Sequence, residues 1–286
     1  MDDLSIIDDF LMTELAGSDE YGEAFVEYFL HTVLGQKIEI KDIKVQKVET
    51  PGDIDKRAIR FDIRTKVSLS KTFLVTEMMD DSIKLKRKAI INIEMQAKSD
   101  KSARGKKYDI RKRSRLYQAM VDTNMLIPGS GYNELDDVLI IICSSFDIFG
   151  LDMIKYTFTN ICLENNELLL DDGAYRIYLN TSDKIGGTDE LNALLKYIAN
   201  STEENAVNSR LNDIHTIVTK VKQSRKAREK YMCIWETEER LRDEVREEMQ
   251  EKLDEKEAEL AEKDTELIKS KAIIAALEAR LAAVNG

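Results

Sequence analysis

The chain has 286 residues, 43% of them hydrophobic, and a formal net charge of −11. That supports one large core with an appendage. No apolar run is long enough to span a bilayer, and the acidic opening Met1-Asp2-Asp3-Leu4-Ser5 lacks a signal-peptide layout. Cys143, Cys162 and Cys233 are scattered without metal-ligand spacing, so the expected setting is a reducing cytoplasm. Charge is segregated along the chain. Residues 236–286 hold 16 acids and 9 bases, whereas residues 98–115 hold nine bases against two acids.

Ile6 to Leu34 carries a helical pattern, with Phe25, Phe29 and Val33 on one stripe. Gly17-Ser18-Asp19 should break it into two helices, and Gly35 fits a helix stop. Lys37 to Val48 reads as a first strand, and Thr50-Pro51-Gly52-Asp53 as a turn. The next strand is Ala58-Ile59-Arg60-Phe61-Asp62-Ile63-Arg64-Thr65. Alternation puts Ile59, Phe61 and Ile63 on one face and Asp62 on the other. After a long insertion over residues 68–86, for which no role is assigned, comes Ala89-Ile90-Ile91-Asn92-Ile93-Glu94-Met95-Gln96-Ala97-Lys98. Here Asn92, Glu94, Gln96 and Lys98 share a face.

Arg104 to Met125 is expected to be a helix. Ile110, Ser114, Tyr117, Met120, Val121 and Met125 face a sheet, and most of its basic residues lie elsewhere. The apolar run Val138 to Cys143 reads as a buried strand. Ile154 to Cys162 and Ala174 to Leu179 read as a hairpin or a strand pair, and Glu190 to Asn200 as a short helix. A further helix is expected over Asn205 to Arg228. From about Tyr231 the chain is dense in Glu, Lys and Arg, with Leu253, Leu260, Leu267, Ile274 and Leu281 at seven-residue intervals. The complementary seam positions include Glu257, Asp264 and Lys271, so the expectation is a thin coiled coil or a solvated helix.

The chemistry concentrates on the two central strands. A Glu and a Gln two apart on an Ile-rich strand are costly to bury without partners. If the two segments pair as a hairpin, Asp62 lies across from or diagonal to Glu94, within reach of one ion. Two converging carboxylates suit a hard cation such as Mg²⁺ or Mn²⁺. The structural alternative pairs Asp62 with Arg60 or Arg64, and Glu94 with a lysine.

Arg60-Phe61-Asp62 followed by Asn92-Ile93-Glu94-Met95-Gln96 resembles the PD-(D/E)XK nuclease family transposases, the Rpn-type recombination-promoting nucleases. Tyr117-Gln118-Ala119-Met120-Val121-Asp122 and Ile141-Ile142-Cys143-Ser144-Ser145-Phe146-Asp147-Ile148-Phe149-Gly150 fit the same pattern. So do Tyr156-Thr157-Phe158-Thr159-Asn160 and Leu170-Asp171-Asp172-Gly173-Ala174. The resemblance covers roughly residues 1–200. It implies an α/β fold, a restriction-endonuclease-like mixed sheet flanked by helices. A helical connector over 201–235 and a charged arm over 236–286, a long helix or coiled coil, would follow.

The implied function is metal-dependent DNA endonuclease activity linked to recombination or mobile elements. Asp62 and Glu94 would be catalytic metal ligands, joined by the Met95 backbone carbonyl, with Mg²⁺ favoured and Mn²⁺ or Ca²⁺ possible. Gln96 stands in the lysine position of the motif. It can orient water or phosphate by hydrogen bonding but cannot bring charge. Lys98 would partly replace that charge, unless it is only a basic residue at a solvent-facing strand end. Lys98, Lys106, Lys107, Arg111 and Arg113 would contact the DNA backbone. Tyr117 shares a helix face with Arg113 and would support the site.

The family opening Asp-Phe-x-Phe-Lys is matched here by Asp9-Phe10-Leu11-Met12-Thr13, which has no lysine. Asp9 would either reach the metal or cap a helix. The rival reading is a catalytically inactive nuclease-fold protein acting as a coiled-coil assembly module. A homo-oligomer through the C-terminal helix is expected, with no membrane partner. No phosphate-binding loop or dinucleotide motif supports a nucleotide cofactor. His31 and His215 have no partners at zinc spacing.

Overall fold

The computed structural model describes residues 1–49, 59–69, 87–97, 109–126, 129–182 and 186–284. Helix α1 (Asp9–Ala16) starts where the Asp8 carboxylate accepts the Phe10 N–H and stops at Gly17. Helix α2 (Gly22–Leu34) ends on Gly35, whose φ of 65° is the left-handed cap that glycine adopts without strain. The break expected at Gly17-Ser18-Asp19 is therefore present. Strands β1 (Ile38–Glu49), β2 (Ile59–Leu69) and β3 (Arg87–Gln96) follow, then helix α3 (Ile110–Met125) and strand β4 (Asp137–Ser144). Strands β5 (Lys155–Phe158) and β6 (Ala174–Asn180) precede helices α4 (Asp189–Ala199), α5 (Ser209–Gln223) and α6 (Arg225–Val284).

Among the described residues six strands form one mixed sheet in the order β1-β2-β3-β4-β6-β5. β1–β2 and β2–β3 are antiparallel, β3–β4 and β4–β6 are parallel, and β5 returns antiparallel to β6. Parallel β3 and β4 need a crossover, and α3 lies within it. β4 is apolar from Val138 to Cys143 because both its faces are covered. On one face, Ile63, Ile91, Ile93, Ile141 and Ile177 pack with α1, α2, α4 and α5 through Leu11, Phe29, Leu194 and Leu211. On the other, Phe61, Ile90, Ile140, Ile142 and Tyr178 pack with Ile110, Tyr117 and Val121 of α3.

Two readings of the sequence change here. Phe61 and Ile63 were expected on one face, yet they lie in opposite layers. The sheet is irregular at this point: β1 carries Gln46 at φ 48°, between the residues paired with Phe61 and Ile63. The single helix expected over Asn205 to Arg228 is instead divided at Ser224, whose ψ of 122° is extended. Leu211, Ile214 and Val218 are buried in the main core. The first compact body runs on to Tyr231.

The second body is the helix from Met232 onward. Leu253, Leu260, Leu267 and Ile274 lie about half exposed along it. Among the described residues no helix is long and apolar enough to cross a membrane.

Candidate functional site

The β2–β3 ladder pairs Leu69 with Arg87 at one end and Ile63 with Ile93 at the other. Just beyond Ile63 and Ile93, side chains replace the ladder. The Asp62 backbone N–H donates to Glu94 Oε1 at 3.2 Å, and the Met95 N–H donates to Asp62 Oδ2 at 3.0 Å. Each carboxylate thus reaches across to the opposite strand. The two acids expected near each other are cross-strand neighbours, Asp62 9% and Glu94 3% exposed.

Helix α3 closes over this place. Asp109 caps its start by accepting the N–H groups of Arg111 and Lys112, which sets the rotation of everything after it. Tyr117 hydrogen-bonds Glu94 and packs edge-on against Phe61, with ring centres 5.2 Å apart. One turn earlier, Arg113 donates from Nη2 to Gln96 Oε1 at 2.9 Å and lies over the Tyr117 ring at 5.7 Å. Glu94, Gln96, Arg113 and Tyr117 are therefore one connected group.

Burial is the dominant electrostatic fact. It pushes the Asp62 carboxyl from its ordinary 3.8 up to about 6, against the Met95 N–H that favours the charged form, and the Asp9 charge adds to the rise. Glu94 goes well above the usual carboxylate range, first through burial and then through the charge of Asp62. The Arg113 guanidinium lowers both. Burial also pushes the Tyr117 hydroxyl up.

Of the structural alternative, the described residues show only a lowering of Asp62 by the Arg60 charge, a lesser influence than burial. Among the described residues neither Asp62 nor Glu94 forms an ion pair. Arg64 instead lies over the Phe61 ring and is influenced by Asp42. Two buried carboxylates with no ion pair among the described residues are expensive, and the cost falls when a cation binds or a proton is taken up. Their hard oxygen donors suit Mg²⁺, Mn²⁺ or Ca²⁺ better than a soft metal. No three His, Cys, Asp or Glu side chains converge among the described residues, so any ion there would need backbone or solvent oxygens as well.

The other expected residues divide. Asp9 is exposed in the first turn of α1 and acts on Asp62 through its charge, while Asp8 is the cap. Arg111 is exposed and bonded to Asp109. Lys98, Lys106 and Lys107, and nearly all of the insertion after β2, lie outside the described residues. One residue escaped the sequence reading. Asn92 is fully buried opposite Arg64, and among the described residues neither of its amide atoms has a partner. Its shared parity with Glu94 and Gln96 was the available signal. Comparison with family models, with curated proteins and with solved structures finds no match to this chain.

Proposed function

We propose that the chain is a metal-dependent deoxyribonuclease of the PD-(D/E)XK kind, built on a restriction-endonuclease-like sheet and serving recombination or mobile elements. The observation that carries this reading is the pair of buried carboxylates, Asp62 and Glu94, joined across a strand end and, among the described residues, in no ion pair. Asp62 and Glu94, with the Met95 carbonyl, would hold the divalent ion. When bound, such an ion stabilises the charge that develops on a phosphodiester and lowers the pKa of a bound water. The chain's own groups orient the reactants. Tyr117 fixes the Glu94 carboxylate, Arg113 fixes the Gln96 amide, and Gln96 positions water or phosphate.

The test is plasmid nicking in Mg²⁺ or Mn²⁺. Wild type should nick and Asp62→Ala should lose at least about a hundredfold in rate, the scale of removing a group that acts on developing charge. Equal nicking by both would rule the assignment out. The half-exposed seam of the second body favours a second role, self-association through that helix. Absence of nicking by wild type, together with oligomers, would favour an inactive nuclease fold used for assembly.

A further inference from the structure

The nuclease motif places a lysine two residues after its glutamate, and here that position holds neutral Gln96. At the site end of β3 the described residues then offer no positive charge. Helix α3 carries three consecutive basic residues, and they differ in kind. Arg111 and Lys112 are exposed and engage the Asp109 cap. Arg113 is half-buried, holds the Gln96 amide, lies over Tyr117 and is felt by both Asp62 and Glu94. Its Nε is buried and finds no acceptor among the described residues. A solvated-face charge would show none of these features. A buried N–H of a cation without an acceptor is costly, unless an anionic ligand completes it.

We propose that Arg113 is the fixed cation of this site: Nη2 of its guanidinium holds Gln96, and its remaining N–H groups take a non-bridging oxygen of a phosphodiester. This deepens the nuclease reading and rests on it. The residue supplies charge and hydrogen bonds and moves no proton, since a guanidinium stays protonated. Its planar fork lets one group position Gln96 and bind phosphate together, which a single ammonium cannot do in the same way. The stack on Tyr117 sets its reach, and Tyr117 in turn holds Glu94.

The test uses the full chain as wild type, Arg113→Gln, Arg113→Lys and Asp62→Asn. Duplex affinity is read by anisotropy of a short fluorescein-labelled DNA in Ca²⁺, and Mn²⁺ affinity by calorimetry. Melting curves check folding. Arg113→Gln should weaken duplex binding about tenfold, the scale of one charged hydrogen-bond set. It should also bind Mn²⁺ severalfold more tightly, because a positive charge beside the cation is gone. Arg113→Lys should return Mn²⁺ affinity to the wild-type level and recover part of the duplex affinity.

Opposite signs on the two ligands are the signature, since a packing role would weaken both together. Unchanged duplex affinity in Arg113→Gln, or weaker Mn²⁺ binding with it, overturns the proposal. Asp62→Asn separates the two readings. If it nicks like wild type, the nuclease reading falls, and the duplex measurement still decides Arg113. If it is inactive while Arg113→Gln binds and nicks like wild type, this inference alone falls.

Discussion

Asp62 carries the clearest consequence at the scale of a single residue. Its carboxyl is raised to about 6 in the folded chain through burial, above the ordinary 3.8 of an exposed group. The folded state therefore holds the proton more tightly, and its contribution to stability is full below pH 4 and lost as pH rises through 6. The shift corresponds to roughly 3 kcal/mol by the linkage relation. In chelator at pH 7.5, Asp62→Asn should melt at a higher temperature than wild type, and the advantage should vanish near pH 4. Saturating Mn²⁺ should raise the wild-type melting temperature at pH 7.5 and leave Asp62→Asn nearly unmoved. Calorimetric scans showing the same Mn²⁺ response in both proteins would contradict the metal assignment. Asn92 offers a second check. Leucine there removes two orphaned polar atoms while keeping the same branched heavy-atom shape, so Asn92→Leu should match or exceed wild-type stability. A loss of about 2 kcal/mol would mean that an ordered water or ligand satisfies the amide.

Elements place these residues, and the placement was only partly legible. Alternation along β3 correctly grouped Asn92, Glu94 and Gln96, because that strand is regular and side chains follow its pleat. The same rule failed at Phe61, where β2 runs beside the irregular Gln46 position and the face reverses. Period counting presumes an undistorted strand, and nothing local in Arg60-Phe61-Asp62 announces the distortion. On α3 the spacing of Arg113 and Tyr117 was readable as one face. What that face meets was not, since the Gln96 and Glu94 partners come from another element. The α1–α2 corner is tight for a different reason. A Cβ on Gly22 would press into the Ala16 carbonyl. Gly22→Ala should destabilise the protein by about 1–3 kcal/mol in denaturant titration, the scale of overpacking against backbone.

At the scale of the whole molecule, the chain comprises a sheet-centred body and a long charged helix. The seam of Leu253, Leu260, Leu267 and Ile274 lies about half exposed, the surface that the proposed coiled coil would cover. Sedimentation of the full chain should show a concentration-dependent oligomer, and Leu260→Lys with Leu267→Lys should reduce it to monomer. A wild-type protein that stays monomeric at high concentration would dismiss the coiled-coil proposal. Element types and order followed from the amino-acid sequence by itself, because hydrophobic periodicity, caps and glycine stops are local properties. Val138 to Cys143 as a buried strand and Gly35 as a helix end are examples. The two acids were likewise marked by composition alone, as charges on apolar strands. Only the tertiary structure decided that they bond across a strand end, that Arg113 reaches Gln96, and that α5 joins the core. Those outcomes depend on contacts between residues far apart in the chain, and burial, which sets both the charges and the packing, exists only once the sheet has assembled.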